Sequence, residues 1–156
     1  MAKLHSDLSE FVGLLNSRSV EYVVVGGHAV AFHGYPRFTG DIDFLVRPTR
    51  ENAERILLVL KDFGFGDLDL TVDDLTTTGR VVQLGRPPNR IYLLTSISGV
   101  AFDDAWSTRA SGKLGDRTVD FLGWDALIQN KLASDRDKDR LDVKKLRAIA
   151  ARKKGA

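Results

Sequence analysis

The chain has 156 residues, 43% apolar and 28% charged, enough for one domain (residues 1–156) with a sizeable core, and its composition excludes a disordered polymer. It has no cysteine, which excludes a disulfide framework and thiolate metal sites and suits a reducing cytosol. The net charge of +2 conceals an asymmetry: residues 1–130 carry 13 Lys/Arg against 17 Asp/Glu, whereas residues 131–156 carry 10 against 4. A basic end beside an acidic remainder suits a polyanionic partner, an NTP or RNA, although a solvated helix face accounts for the Arg152-Lys153-Lys154 tail alone.

Met1 to Glu10 is polar and lacks the apolar centre of a signal peptide. No apolar run approaches the roughly 18 residues of a membrane span. The expectation is a cytoplasmic protein with no membrane partner.

Leu4, Leu8, Phe11, Val12 and Leu15 share one helical face, predicting an amphipathic helix over about Ser6 to Ser17. Tyr22 to Val25 reads as a buried strand, broken by Gly26-Gly27. His28 to His33 has helical character and ends at Gly34, before the extended Tyr35-Pro36. A strand over Asp41 to Val46 follows, with Asp41, Asp43 and Leu45 on one face and Ile42, Phe44 and Val46 turned into a core. Thr49 then caps a long helix whose buried stripe is Ala53, Ile56, Leu57, Leu60 and Phe63, stopped by Gly64 and Gly66.

Residues 67–78 carry no assignable pattern. Arg80 to Leu84 and Ile91 to Thr95, joined through Pro87-Pro88, predict a hairpin. Phe102 to Trp106 suggests a short helix, and Thr108 to Leu114 with Arg117 to Leu122, around Gly115-Asp116, a second hairpin. From Trp124 onward the chain is helical. No internal repeat or linker divides it. The predicted fold class is α+β, a mixed sheet packed against helices.

Two features point to chemistry. Glycines at a strand-to-helix turn let backbone N–H groups approach phosphate oxygens, and carboxylates at i and i+2 on a strand repel unless a cation lies between them. Mg2+ takes oxygen ligands of this kind, commonly one or two carboxylates plus substrate phosphates. Each signal is weak by itself, since glycine pairs end many strands and exposed strand faces carry charges. The absence of GK[ST] excludes a P-loop.

The pattern Val25-Gly26-Gly27 followed by Asp41-Ile42-Asp43-Phe44 resembles the signature of the DNA polymerase beta-like nucleotidyltransferase superfamily. More closely, Gly26-Gly27-His28-Ala29, His33-Gly34, Arg37, Thr39 and Asp41-Ile42-Asp43 resemble small bacterial nucleotidyltransferase-fold proteins related to the AbiEii toxins of abortive-infection and toxin–antitoxin systems. The block Leu127-Ile128-Gln129-Asn130-Lys131-Leu132-Ala133, with Arg136, Lys138-Asp139 and Asp142, is similar to that group's second shared block.

The resemblance implies a nucleotidyltransferase fold and transfer of an NMP from an NTP to a hydroxyl acceptor, RNA or protein, with Mg2+ as cofactor. Asp41 and Asp43 would be catalytic and hold the metal, and the Gly26-Gly27 backbone would hold the triphosphate. Lys131 and Arg37 are candidates to neutralise phosphate charge in the transition state; for Lys131 an ordinary exposed helix lysine is an equal alternative. Thr39 is read as a phosphate contact or a strand-end cap. Asp139 is read as a helix N-terminal and salt-bridge residue that also belongs to the candidate nucleotide site, and His28 and His33 as packing or turn residues. A cognate partner protein or a homodimer would supply acceptor recognition that a chain of this size lacks room for.

One departure bears on turnover. The superfamily uses a third carboxylate, expected within Arg90 to Thr95, and that position holds Tyr92, whose phenol, with an ordinary pKa of about 10, is a poor Mg2+ ligand at neutral pH. Asp120, opposite in facing to Val119 and Phe121, is a candidate substitute, although a surface strand residue is the preferred reading. The alternative function is therefore an impaired fold member that binds NTP, RNA or a partner protein without turnover.

Overall fold

The computed structural model describes residues 6–37, 40–66, 68–85 and 89–155. Six strands form one mixed sheet in the order β3-β4-β2-β1-β6-β5. They are β1 (Tyr22–Val25), β2 (Ile42–Val46), β3 (Val81–Leu84), β4 (Ile91–Leu94), β5 (Ala110–Leu114) and β6 (Arg117–Phe121). The helices are α1 (Ser6–Ser17), α2 (Gly26–Phe32), α3 (Arg50–Leu60), α4 (Val72–Thr76), α5 (Phe102–Ser107), α6 (Trp124–Ser134) and α7 (Asp137–Gly155), with a π turn at Lys61–Phe65. Both predicted hairpins are present, β3 with β4 and β5 with β6, each antiparallel. The Pro87-Pro88 connection itself lies outside the described residues. β1 pairs antiparallel with β2, while β2 runs parallel to β4 and β1 parallel to β6. This is the expected α+β architecture.

Alternation along the strands builds a core on each face. One face gathers Tyr22, Val24, Ile42, Phe44 and Val46 with Phe11, Val12 and Leu15 of α1 and Ile56 of α3. The other gathers Val23, Val25 and Leu45 with Val30 of α2, Leu127 of α6 and Leu146 of α7. Leu45 lies on the face opposite Ile42, Phe44 and Val46, as alternation predicts, and is buried there at 1% exposed. Helices cover both faces, so the polar opening is confined to the end of the sheet where Asp41 and Asp43 lie.

Thr49 caps α3 as expected, its hydroxyl accepting from the Asn52 N–H at 3.3 Å. Gly64, at φ +97°, ends the helical path through the π turn, whereas Gly66 is right-handed. Residues 67–78, unassigned from sequence, contain α4, opened by a capping box in which Thr71 and Asp74 each bond the other's backbone N–H. The continuous C-terminal helix is interrupted: Asp135 takes a left-handed conformation (φ 49°) and separates α6 from α7.

Asn52 is a buried polar clamp among these elements. Its side chain accepts from the Glu21 N–H at 2.8 Å and donates to the Glu21 and Arg47 carbonyls at 3.0 Å each, tying α3 to the start of β1 and the end of β2. Truncation would take this partner from the part-buried Glu21 N–H and Arg47 carbonyl, at about 1–3 kcal/mol for each group that water cannot reach, while the Glu21 carbonyl would keep the Arg47 N–H. Asn52→Ala is expected to lower unfolding free energy by about 3 kcal/mol, measured by urea denaturation; a change below about 0.5 kcal/mol would refute the clamp.

Candidate functional site

The parallel pairing of β2 with β4 sets two triplets side by side. Ile42 is level with Ile91 and Asp43 with Tyr92, so Asp41-Ile42-Asp43 lies alongside Arg90-Ile91-Tyr92. The two isoleucines turn into the core, and the four polar side chains share the other face. The Arg90 N–H donates to Asp41 Oδ1 at 3.2 Å, and Arg90 Nε stands 4.0 Å from the same oxygen. The Arg90 guanidinium donates onward to the Tyr92 hydroxyl at 3.2 Å. A fixed cation thus sits beside Asp41 where a third acid was sought.

On the other side of Asp43 is the β1–α2 turn. Val25 is the cross-strand partner of Asp43, and the chain leaves β1 through Gly26 at φ +67°. A Cβ at Gly26 would lie 2.2 Å from Asp43 Oδ2, so both the conformation and the carboxylate require glycine there. Gly27 follows as the second residue of α2, which starts at Gly26 rather than at His28. His28 does more than pack: its ring is hydrogen-bonded to the Asp41 backbone, and burial nonetheless pushes its pKa below the ordinary imidazole value. His33 lies 2.7 Å from the Leu122 carbonyl through Nε2, a packing contact as expected.

Burial pushes the Asp43 carboxyl above its ordinary pKa, the Asp41 charge raises it further, and Lys138 and Lys131 pull it back. Asp43 lines a cleft of about 410 Å³ together with Gly26, Ser98, Asn130, Lys131 and Arg136. The Asn130 amide donates to the Ser98 carbonyl at 2.9 Å and fixes one wall. A larger groove of about 730 Å³, lined by Leu58, Phe65 and Leu70 among others, contains none of the predicted site residues.

Lys131 is not the exposed helix lysine that sequence allowed. It is 5% exposed, with Nζ 3.3 Å from Asp139 Oδ1 and 3.1 Å from Asp142 Oδ2. Arg37 pairs with Asp142. Asp139, at the start of α7, accepts from Ser134 Oγ and Arg136 Nε at 2.7 Å each. Burial alone would push the Asp139 carboxyl up, but hydrogen bonds from Arg136, Ser134 and Lys131 outweigh it and hold it well below the carboxylate range. The two cations assigned to phosphate are therefore engaged by aspartates of α7. Lys138, which reaches Asp43 with its charge, is exposed and forms no ion pair among the described residues.

Asp120 is not brought to this centre. It lies on β6, on the far side of β1 from β2, one residue before Phe121, which is level with Val24, and its carboxylate pairs with Arg109 at 3.4 Å. Thr39 lies outside the described residues. Arg90 and Lys138 were not assigned roles from sequence. The alternation Arg90-Ile91-Tyr92 carries the signal for Arg90, but only the strand register sets it against Asp41.

The donor set was tested for a divalent ion. Among the described residues no three His, Cys, Asp or Glu side chains could hold a metal by themselves. Asp43, which lines the cleft, and Asp41, coupled to it in charge, fit Mg2+ of the kind that completes its shell with phosphate oxygens and water.

A mixed sheet of this order, with paired acids at the end of β2 and a glycine turn before α2, is the framework of a nucleotidyltransferase fold. Two solved structures share it. The lincomycin-bound lincosamide antibiotic adenylyltransferase LnuA aligns over 96% of this chain and 99% of its own, with 17% identity and a TM-score of 0.59. TM1012 of Thermotoga maritima, a presumed nucleotidyltransferase, aligns over 88% of each chain, again with 17% identity and a TM-score of 0.59. No protein-family model and no curated protein matches the sequence. The chain has the nucleotidyltransferase fold.

Two expectations follow. Because the folded pKa of Asp43 lies above the unfolded one, the folded state binds more protons in that interval, and stability falls as pH rises from the unfolded towards the folded pKa. At neutral pH, Asp43→Asn should raise the urea midpoint of the ligand-free protein, and the gain should vanish below pH 4; a lowered midpoint at pH 7 would contradict this. Lys131→Met, which takes one matching cation from two buried carboxylates and leaves them Arg136 and Arg37, is expected to cost about 3 kcal/mol in the same measurement. A loss below about 1 kcal/mol would show that Lys131 is not a structural cation.

Proposed function

We propose that the protein is a Mg2+-dependent nucleotidyltransferase that moves an NMP from an NTP to a hydroxyl acceptor. The carrying observation is Asp43, which lines a cleft together with Gly26 and Lys131 and is coupled in charge to Asp41, Lys138 and Lys131. The shared fold supports this reading, and so does the resemblance of the Gly26–Asp43 and Leu127–Asp142 blocks.

In the reaction the acceptor oxygen attacks the α-phosphorus, the bond to the β-phosphate oxygen breaks, pyrophosphate departs, and the hydroxyl proton passes to solvent. Mg2+ held by Asp41 and Asp43 would supply charge neutralisation on the triphosphate. Gly26 and Gly27 leave room for phosphate oxygens against the backbone. Lys138 and Arg90 supply cationic charge at the two sides of the acids, and Lys131 and Arg37 hold α6, α7 and the segment before β2 in place. The acceptor is assigned to a macromolecule, RNA or protein, in a toxin–antitoxin or phage-defence module with a cognate partner protein. That assignment rests on the AbiEii resemblance. LnuA is named for a lincosamide acceptor, so small hydroxyl compounds belong in the same assay.

One observation favours a second reading, in which NTP is bound without turnover: the residue level with Asp43 on β4 is Tyr92, and Asp120 is engaged elsewhere. A single experiment separates the two. Each α-labelled NTP is incubated with Mg2+ and cell RNA, protein or small hydroxyl acceptors. The enzyme reading expects label on an acceptor, reduced at least about 100-fold by Asp41→Asn or Asp43→Asn, in the range of losing a main electrostatic contribution. NTP binding with no transfer, together with a gain of transfer in Tyr92→Asp, supports the binding reading. Neither binding nor transfer by any NTP sinks both.

A further inference from the structure

The acidic and basic parts of the chain meet at α7. Beyond Asp142 this helix has no acid, while Lys144, Lys145, Arg147, Arg152, Lys153 and Lys154 all stand on it. Its buried side is Asp139, Asp142, Val143 and Leu146. Lys138, Lys145 and Arg152 recur every seven residues, so they fall on one line about 21 Å long beside that buried stripe. All three are exposed and unpaired by acids among the described residues. The line begins beside the site, because Lys138 is next in sequence to Asp139, which lines the same cleft as Asp43.

Helix electrostatics do not explain the line. Cations near a helix C-terminus are favoured by the macrodipole, which accounts for Arg152 to Lys154. Lys138 is in the first turn of α7, where a cation is disfavoured, and Lys145 lies mid-helix, where the dipole gives little. Nor is the line part of a generally basic surface, since residues 1–130 carry 13 Lys/Arg against 17 Asp/Glu. A row of unpaired cations leading away from a group-transfer centre is complementary to a phosphodiester backbone, not to an apolar peptide or a neutral small molecule.

We propose that the acceptor is a nucleic-acid strand whose backbone lies along Lys138, Lys145 and Arg152 of α7 and delivers a terminal hydroxyl to the cleft lined by Asp43. This rests on the nucleotidyl-transfer reading and specifies its acceptor. RNA and DNA share the backbone chemistry, so both are probed.

The test is fluorescence anisotropy with labelled single-stranded RNA and DNA oligonucleotides over a range of salt. Each single-strand phosphate contact contributes about 0.7 to the slope of log affinity against log salt. Lys145→Gln with Arg152→Gln should therefore reduce the slope by about 1.4, with NTP binding unchanged. Arg147→Gln with Lys154→Gln, equal in charge but about half a turn away around the helix, should leave the slope within about 0.3 of the parent, less than half of one contact. Equal losses from both pairs, or no oligonucleotide binding by the parent protein, would overturn the proposal. So would label transferred to protein and resistant to nuclease, although nucleotidyl transfer itself would then stand. The strand that loses more affinity in the Lys145/Arg152 variant identifies the acceptor as RNA or DNA.

Discussion

The buried ion cluster around Lys131 is the constraint on which the site depends. Two carboxylates of α7, Asp139 and Asp142, are almost fully removed from solvent and are satisfied by cations from three places: Lys131 on α6, Arg37 before β2 and Arg136 between the last two helices. Buried charges of this kind are tolerated only when each is matched, because an unmatched one costs several kcal/mol. The cluster therefore fixes the relative placement of α6, α7 and the approach to β2 more strictly than the surrounding leucines and valines could. It also means that charge near the acids is sorted into two classes, with some cations consumed in holding the frame and others acting on the acids themselves, Lys138 through its charge on Asp43 and Arg90 beside Asp41.

The sheet supplies the complementary constraint. Covering both faces with helices leaves its polar chemistry at one end, where Gly26 allows the Asp43 carboxylate to press against the backbone. The conditions that suit an ion–phosphate site, crowded acids and a close backbone, are unfavourable to the empty protein. Asp43 shows this through a carboxyl that is reluctant to ionise. Such a site spends folding stability on binding capacity.

Much of this was legible in the sequence. Hydrophobic patterning located α1 and α3 through a period of 3.6, β1 through a nearly continuous apolar run, and both hairpins through paired runs joined by short turn-bearing loops. The Gly26-Gly27 turn and the Asp41/Asp43 alternation were visible as local chemistry. The rest depended on information that no local window carries. Lys131 looks like a surface residue because its partners, Asp139 and Asp142, belong to the next helix, beyond a break that a single left-handed Asp135 makes. Arg90 gained meaning only from the parallel register of β2 and β4. Alternation put Leu45 on the face of the two aspartates, but it states which residues share a face and not what packs over each position. Asp120 had the right facing and the wrong strand.

The side-by-side triplets also have a kinetic meaning. The contact from Arg90 to Asp41 spans 49 residues and forms only when β4 docks parallel to β2, across two intervening helices, a π turn and a hairpin strand. Pairings of such long sequence separation carry a large loop-closure cost and tend to form late. A chain still emerging during synthesis, or one unfolded locally at β3 and β4, would have both aspartates and the glycine turn but no Arg90 or Tyr92 beside them. The chemistry at this end of the sheet is thus withheld until the fold is complete, so the same strand register that composes the site also governs when it comes into being.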